Sequence, residues 1–254
     1  MLSKNKIKLI HSLEQKKYRK KEGLFVAEGP KLVNELLKSM HCAGLYHTPE
    51  YVLPEEWSIT ADEIESCTSE ELQKASFLTT PQEVLALFQL PQDQEEDLTR
   101  FPVQELCLAL DGVQDPGNLG TICRVADWFG IRHIFCSPKT ADVYAPKTIQ
   151  ATMGAIARVK IHYVDLVSFI TRLPKGTPVY GTLLDGENLY SQDLENTGLL
   201  IMGNEGNGLT PEVRELLNRS LFIPSYPADC ETSESLNVGV ATAILCAEFR
   251  RRLQ

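Results

Sequence analysis

The chain has 254 residues, 43% apolar and 23% charged, a globular composition whose length suits one large domain or, better, two of moderate size. No apolar run approaches the roughly 18 residues that a membrane-spanning helix needs. The net charge of −9 is uneven: residues 1–40 hold ten Lys/Arg against four Glu, residues 41–100 two basic against thirteen acidic, and residues 101–254 thirteen against seventeen. A basic N-terminal arm on an acidic protein points to a local contact with a polyanion, not to a surface that coats nucleic acid everywhere.

Ile7, Ile10 and Leu13 recur at helical spacing and predict a short amphipathic helix over about 4–16. The start is basic but has no apolar core, which argues against a secretory signal. KKYRKK (16–21) follows, then GLFVAEG (23–29) as a strand and PKLVNELLKS (30–39) as a helix with Pro at its first position. GLYHT (44–48) and SFLTT (76–80) read as strands, EELQKA as a helix between them, and PQEVLALFQL (81–90) as a short helix. PQDQEEDLTRFP (91–102) is polar, acidic and bounded by prolines, the best linker. From residue 103 apolar strands alternate with helices: ELCLALDG, a helix beginning near Thr121, IRHIFCS, a helix around KTIQATMGAIA, RVKIHY, DLVSFITRLP, PVYGTLLDG, GLLIMGNEG, TPEVRELLNRS, LFIPS and a last helix opened by SESLN. That alternation predicts a parallel sheet covered on both faces. The seven cysteines (42, 67, 107, 123, 136, 230, 246) are odd in number with no C-x-x-C pair, which argues against a disulfide framework or zinc site and for a reducing cytoplasm.

Familiar nucleotide-binding signatures fail. GNEGNGLT (203–210) has the glycine separation of a phosphate loop, but Leu209 stands where its lysine belongs; no third glycine completes a dinucleotide fingerprint, and no G-x-S-x-G elbow is present. Three segments remain. DPGNLGTICR (115–124) joins a strand to a helix at the sheet edge where α/β proteins bind ligands. Asn118 there either shapes a turn or faces a ligand, and Arg124 is either a solvated charge or a site residue. LLIMGNEGNGLTPEV (199–213) places Glu205 among three glycines, either as a plain turn into a helix capped by Thr210 or as a binding loop. FIPSYPADCETSESLN (222–237) offers Ser233 or Ser235 as an N-cap, with Asn237 less well explained by capping.

Together, N-L-G-x-x-x-R-x-A (118–126), M-G-N-E-G-x-G-L (202–209) and I-P … E-S-L-N-V-x-V-A (223–241) resemble the three ordered motifs of the SpoU-type RNA ribose 2′-O-methyltransferases, a branch of the knotted SPOUT superfamily. The resemblance covers about 103–254. The basic start and the EG-x-x-x-V-x-E-L-L run resemble the ribosomal-protein-like RNA-binding domain often attached to such enzymes. It implies an α/β fold, a parallel sheet flanked by helices with a C-terminal deep trefoil knot, preceded by a small α/β RNA-binding domain (1–95) and forming a catalytic domain over 103–254. It implies S-adenosylmethionine held mainly by backbone at Thr182, Leu183, Met202, Gly203, Asn204, Gly206, Ile223 and Leu236. The catalytic set it implies is Arg124, Asn118, Glu205, Ser235 and Asn237, in a homodimer without a metal or a membrane. The substrate it implies is RNA, ribosomal before transfer RNA, with Lys16, Lys17, Arg19, Lys20 and Lys21 on its phosphates. A catalytically silent RNA-binding or assembly protein, or a small-molecule-binding α/β protein, is the alternative. The sequence departs from the pattern in the longer interval SYPADCETSE and in Gly239, where serine is common.

Overall fold

The computed structural model describes residues 2–52, 61–92, 96–227 and 233–252. The chain divides into two compact units, residues 1–94 with 142–157, and residues 95–141 with 158–254.

In chain order the first unit opens with α1 (Lys4–Ser12), α2 (Lys16–Glu22), β1 (Leu24–Glu28), α3 (Pro30–Leu37), β2 (Cys42–His47), β3 (Ile64–Ser66), α4 (Ser69–Ala75) and β4 (Val84–Gln89). The second unit continues with α5 (Arg100–Gln104), β5 (Leu106–Asp111), α6 (Pro116–Trp128) and β6 (His133–Cys136). Next, α7 (Pro146–Thr152) groups with the first unit. The rest belongs to the second: β7 (Lys160–Tyr163), α8 (Leu166–Thr171), β8 (Val179–Asn188), β9 (Gly198–Gly203), α9 (Pro211–Arg214), β10 (Arg219–Phe222) and α10 (Val238–Arg251).

The first unit is a mixed sheet of order β1-β4-β2-β3, antiparallel except for β2 beside β3. Ile10 and Leu13 pack with Val26, Tyr46, Leu72, Leu85 and Leu87 under it. The expected helix over 81–90 is instead β4, the strand between β1 and β2, because Val84–Phe88 is buried throughout and a short apolar run carries no helical period. The expected strand 76–80 is not formed. Those residues bend away after α4, where the buried Glu28 carboxylate accepts from the Ser76 hydroxyl and the Phe77 amide. The expected first helix ends at Ser12, and KKYRKK lies in its own helix, α2.

The second unit carries a six-stranded sheet of order β10-β8-β9-β5-β6-β7, with every neighbouring pair parallel. All six β5 residues are buried, as expected where helices cover both faces. On one side Phe135, Phe169, Leu199 and Ile201 form a core cluster, Phe135 stacking on Phe169 with ring centroids 4.3 Å apart. Burying side chains of this size stabilises the fold by about 1.5–3 kcal/mol each. On the other side α6 and α10 pack together. The expected helix start near Thr121 lies five residues earlier: Asp115 is the N-cap, its carboxylate accepting from the Asn118 amide at 2.8 Å, and Pro116 takes the first position. The helix expected from SESLN begins at Val238, capped by Asn237 and not by Ser233 or Ser235. Among the described residues all six cysteines are buried free thiols, and no helix is long and apolar enough to cross a membrane. The expected linker lies partly outside the described residues, at 93–95, as does 228–232 of the long interval before α10.

Candidate active site

The sheet order decides where the site forms. β10, β8, β9 and β5 lie side by side and parallel, so their carboxyl ends share one edge. At that edge are Ile223 after β10, Met202 and Gly203 ending β9, and Asp111 ending β5, paired in register with Gly203. β8 pairs with β9 from Val179 to Gly181 and no further, and its pairing with β10 jumps from Gly181 to Glu187. Residues 182–186 therefore leave the ladder, starting at Thr182, whose hydroxyl donates to the Ile201 carbonyl at 3.2 Å.

After β9 the chain folds back on itself. Asn204 and Gly208 exchange two backbone hydrogen bonds of 2.9 Å. A Cβ on Gly203 would stand 2.4 Å from the Gly208 carbonyl carbon, so only glycine fits this crossing. The Asn204 side chain ties the loop down, its Nδ2 donating to the Gly112 carbonyl at 2.7 Å and its Oδ1 accepting from the Gly206 and Asn207 amides at 3.0 Å each.

Glu205 projects from this loop to the start of α6. Its carboxylate accepts from Asn118 Nδ2 at 3.0 Å and, over 3.4 Å, from the Gln114 and Asp115 amides. Asn118 Oδ1 accepts from Asn237 Nδ2 at 3.0 Å, while Asn237 Oδ1 caps α10 by accepting from Gly239 and Val240 amides at 2.9 and 3.3 Å. A carboxylate can only accept and a backbone amide can only donate, so both asparagine side chains have one allowed orientation. Partial burial pushes the Glu205 carboxyl up, but the bonds from Asn118 and the nearby backbone amides outweigh it and hold the group below the ordinary carboxylate range.

Of the expected site residues, Asn118, Glu205 and Asn237 are thus joined in one hydrogen-bonded chain. Arg124 and Ser235 are exposed, and among the described residues no hydrogen bond or ion pair links either to that chain. Arg124 lies on the flank of α6 that also exposes Thr121 and Trp128. Gly239 has a packing reason: a Cβ there would lie 3.1 Å from Thr121 Cγ2, where α10 meets α6. In the first unit Lys16, Lys17, Lys20 and Lys21 are exposed. Arg19 departs from the surface role expected of it: it is 3% exposed, donates to the Leu13 and Glu14 carbonyls at 2.6 Å, and pairs with Asp142 at 2.8 Å. Both of its terminal nitrogens are thus engaged inside the first unit. Sequence reasoning missed Asp115, whose position before Pro116 is a legible helix-start signal, and Asp111.

The backbone segments at 182–183, 202–206 and 223 bring carbonyls, amides and one carboxylate but no basic side chain. That donor set does not suit a polyphosphate. It does suit S-adenosylmethionine, whose sulfonium and ammonium are cationic and whose adenine is neutral.

The arrangement is that of an α/β enzyme working at the carboxyl edge of a parallel sheet. A profile described as the SpoU rRNA Methylase family matches residues 105–247, more than half of the chain, and the chain belongs to that family. A second profile, the MRM3-like substrate binding domain, matches residues 4–86. The chain is 32% identical to the 23S rRNA (guanosine(2553)-2′-O)-methyltransferase RlmP of Bacillus subtilis, over 96% of both proteins. Among solved structures it resembles a protein of the TrmH family from Porphyromonas gingivalis, with 43% identity, 99% of each chain covered and a TM-score of 0.85. It also resembles an AdoMet-bound rRNA methyltransferase from Sinorhizobium meliloti, with 29% identity, 100% and 98% covered and a TM-score of 0.84.

Proposed function

We propose that the chain transfers a methyl group from S-adenosylmethionine to a ribose 2′-hydroxyl of ribosomal RNA. Family membership, the named activity of the Bacillus relative and the bound AdoMet of the Sinorhizobium structure support this reading. The observation that carries it is the Glu205–Asn118–Asn237 chain beside the glycine loop, at the edge where the backbone-lined segments meet.

The cofactor supplies an electrophilic methyl group on a sulfonium. The residues that would hold it are Thr182, Leu183, Met202, Gly203, Asn204, Gly206, Ile223 and Leu236, through backbone groups. The protein's remaining task is to orient the acceptor hydroxyl and to manage its proton. Arg124 is exposed, and a guanidinium offers donors but no acceptor, so its role is to bind the phosphate flanking the acceptor nucleotide and to stabilise charge developing on the 2′-oxygen, with that phosphate as the proton's destination. Asn118, Ser235 and Asn237 line the acceptor side. Glu205 is saturated with donors and serves to hold Asn118 and the first turn of α6 in place.

Residues 1–95 form the RNA-binding part and 103–254 the catalytic part in this reading. Lys16, Lys17, Lys20 and Lys21 contact phosphates, and Arg19 supports them from inside. The C-terminal segment is threaded as a trefoil knot, and the enzyme works in the cytoplasm as a homodimer. Its second copy covers Trp128, Leu236 and Val240, which are 85%, 49% and 50% exposed on and beside the paired α6 and α10.

Incubating the purified chain with labelled S-adenosylmethionine and rRNA from cells lacking it tests the reading. Label in one ribose 2′-O-methyl position, missing from those cells, is expected. Binding of the cofactor and RNA with no transfer to any RNA would instead make the chain a silent assembly protein.

A further inference from the structure

We propose that Asp111 is a positioning residue which, through Thr210, holds the Met202–Gly206 backbone in the shape that receives S-adenosylmethionine; this rests on the cofactor reading above. Asp111 ends β5 and is 5% exposed, yet among the described residues no cation pairs with it. Its Oδ2 accepts two bonds, from the Thr210 amide and from the Thr210 hydroxyl, both 2.7 Å. A buried carboxylate is costly unless such donors are supplied, so the pair is conditional on Thr210 staying where it is.

Thr210 is also out of keeping with its local surroundings. It stands at the N-cap of α9, where a threonine hydroxyl ordinarily accepts from the helix's first amides, but it makes no such cap bond and donates to Asp111 instead. A helix end is left without its side-chain cap in favour of a link to the neighbouring strand. Breaks of a local rule of this kind gather at functional sites.

The link closes a frame around the glycine loop. Gly203, at the loop's near end, is the register partner of Asp111, and Thr210 is its far end. Asp111 therefore holds both ends against β5, while Asn204 bonds to the Gly112 carbonyl between them. Since there is no room even for a Cβ between Gly203 and the Gly208 carbonyl, the loop has little room to tighten; releasing Thr210 lets it open and spreads the backbone groups that meet the cofactor.

Titration calorimetry with S-adenosylhomocysteine on the full chain tests this, alongside steady-state kinetics. Thr210→Val removes the hydroxyl donor but keeps the shape; its Kd, and the KM for S-adenosylmethionine, are expected to rise about tenfold or more. Its kcat at saturation, and the Kd of Thr210→Ser, which keeps the hydroxyl, are expected to stay within about twofold of the parent. A Thr210→Val Kd equal to the parent's overturns the proposal, and so does a fall in kcat with Kd unchanged. If Thr210→Val does not fold, Asp111→Asn decides: a Kd raised about threefold or more supports the proposal, and an unchanged one overturns it. A parent chain that binds no S-adenosylhomocysteine overturns the cofactor reading itself, and this inference with it.

Discussion

Arg124 and Glu205 differ in their surroundings, and the roles proposed for them differ accordingly. Arg124 is exposed and, among the described residues, without a hydrogen-bond or ion-pair partner, which leaves it open to the phosphate contact proposed for it. Arg124→Lys keeps the charge but loses the planar fork, so kcat is expected to fall by about 10²–10³. RNA and S-adenosylhomocysteine affinities, measured in parallel, are expected to change little; near-parental kcat would remove the special role of the guanidinium. Glu205, although exposed, accepts from Asn118 and from the Gln114 and Asp115 amides. Glu205→Gln removes the charge that receives the Asn118 amide, and, discounted for its partial exposure to solvent, is expected to cost about 1 kcal/mol of stability near neutral pH. The sign of the pH dependence follows from the lowered pKa of Glu205. Such a group stabilises the fold above its unfolded pKa of roughly 4 and loses that contribution as the pH falls through its lower folded value. Denaturant titrations of parent and Glu205→Gln are therefore expected to converge as the pH drops below about 4; a gap that widens there would mean that the carboxylate is not the favoured form.

The helices at the site start sharply, and those starts bring Asn118 and Asn237 together. Pro116 after Asp115 starts α6 so that Asn118 falls in its first turn, and Asn237 starts α10 beside it. β9 ends on Gly203, where the chain must cross Gly208. Gly203→Ala is expected to displace the 204–208 turn, lower the melting temperature by several degrees and abolish measurable S-adenosylhomocysteine binding; an unchanged calorimetric trace would show that the crossing is not needed. Most of this was legible. The alternation after residue 103 foretold the parallel sheet, and the three polar segments contained Asn118, Glu205 and Asn237. What escaped has physical causes. Val84–Phe88 is a strand with neighbours on both sides, too short for periodicity to separate it from a helix. Residues 142–157 group with the first unit although strands of the second flank them in sequence, and no local pattern reports that grouping. Arg19 sits in a basic run identical in style to its neighbours, and only the fold, by supplying Asp142 and two carbonyls, turns it inward.

At the scale of the whole molecule the question is what covers the outer side of the α6–α10 pair. The two helices pack on one another, and their inner residues, among them Ile122, Ala126, Leu245 and Phe249, are buried within the second unit. Trp128 and Val240, on the same two helices, are exposed, and so is Leu236 just before α10. A tryptophan left in water at 85% exposure is a large apolar surface with no local use, and aromatic anchors of this kind dominate protein–protein interfaces. A second copy is the occupant that the dimeric reading supplies, and an isologous contact would set each copy's Arg124, one helical turn from Trp128, near the same seam. Charge at its centre is then intolerable: Trp128→Glu is expected to raise the dimer dissociation constant by about 30-fold or more. Sedimentation velocity over a range of micromolar concentrations is expected to show a dimer for the parent chain and a monomer for the variant. Because the substitution lies on an exposed face, the variant is expected to keep its melting transition while methyl transfer falls with dimer content. A parent chain that sediments as a monomer, or a variant that remains dimeric, would assign this face to another partner and leave the catalytic set to work within one copy.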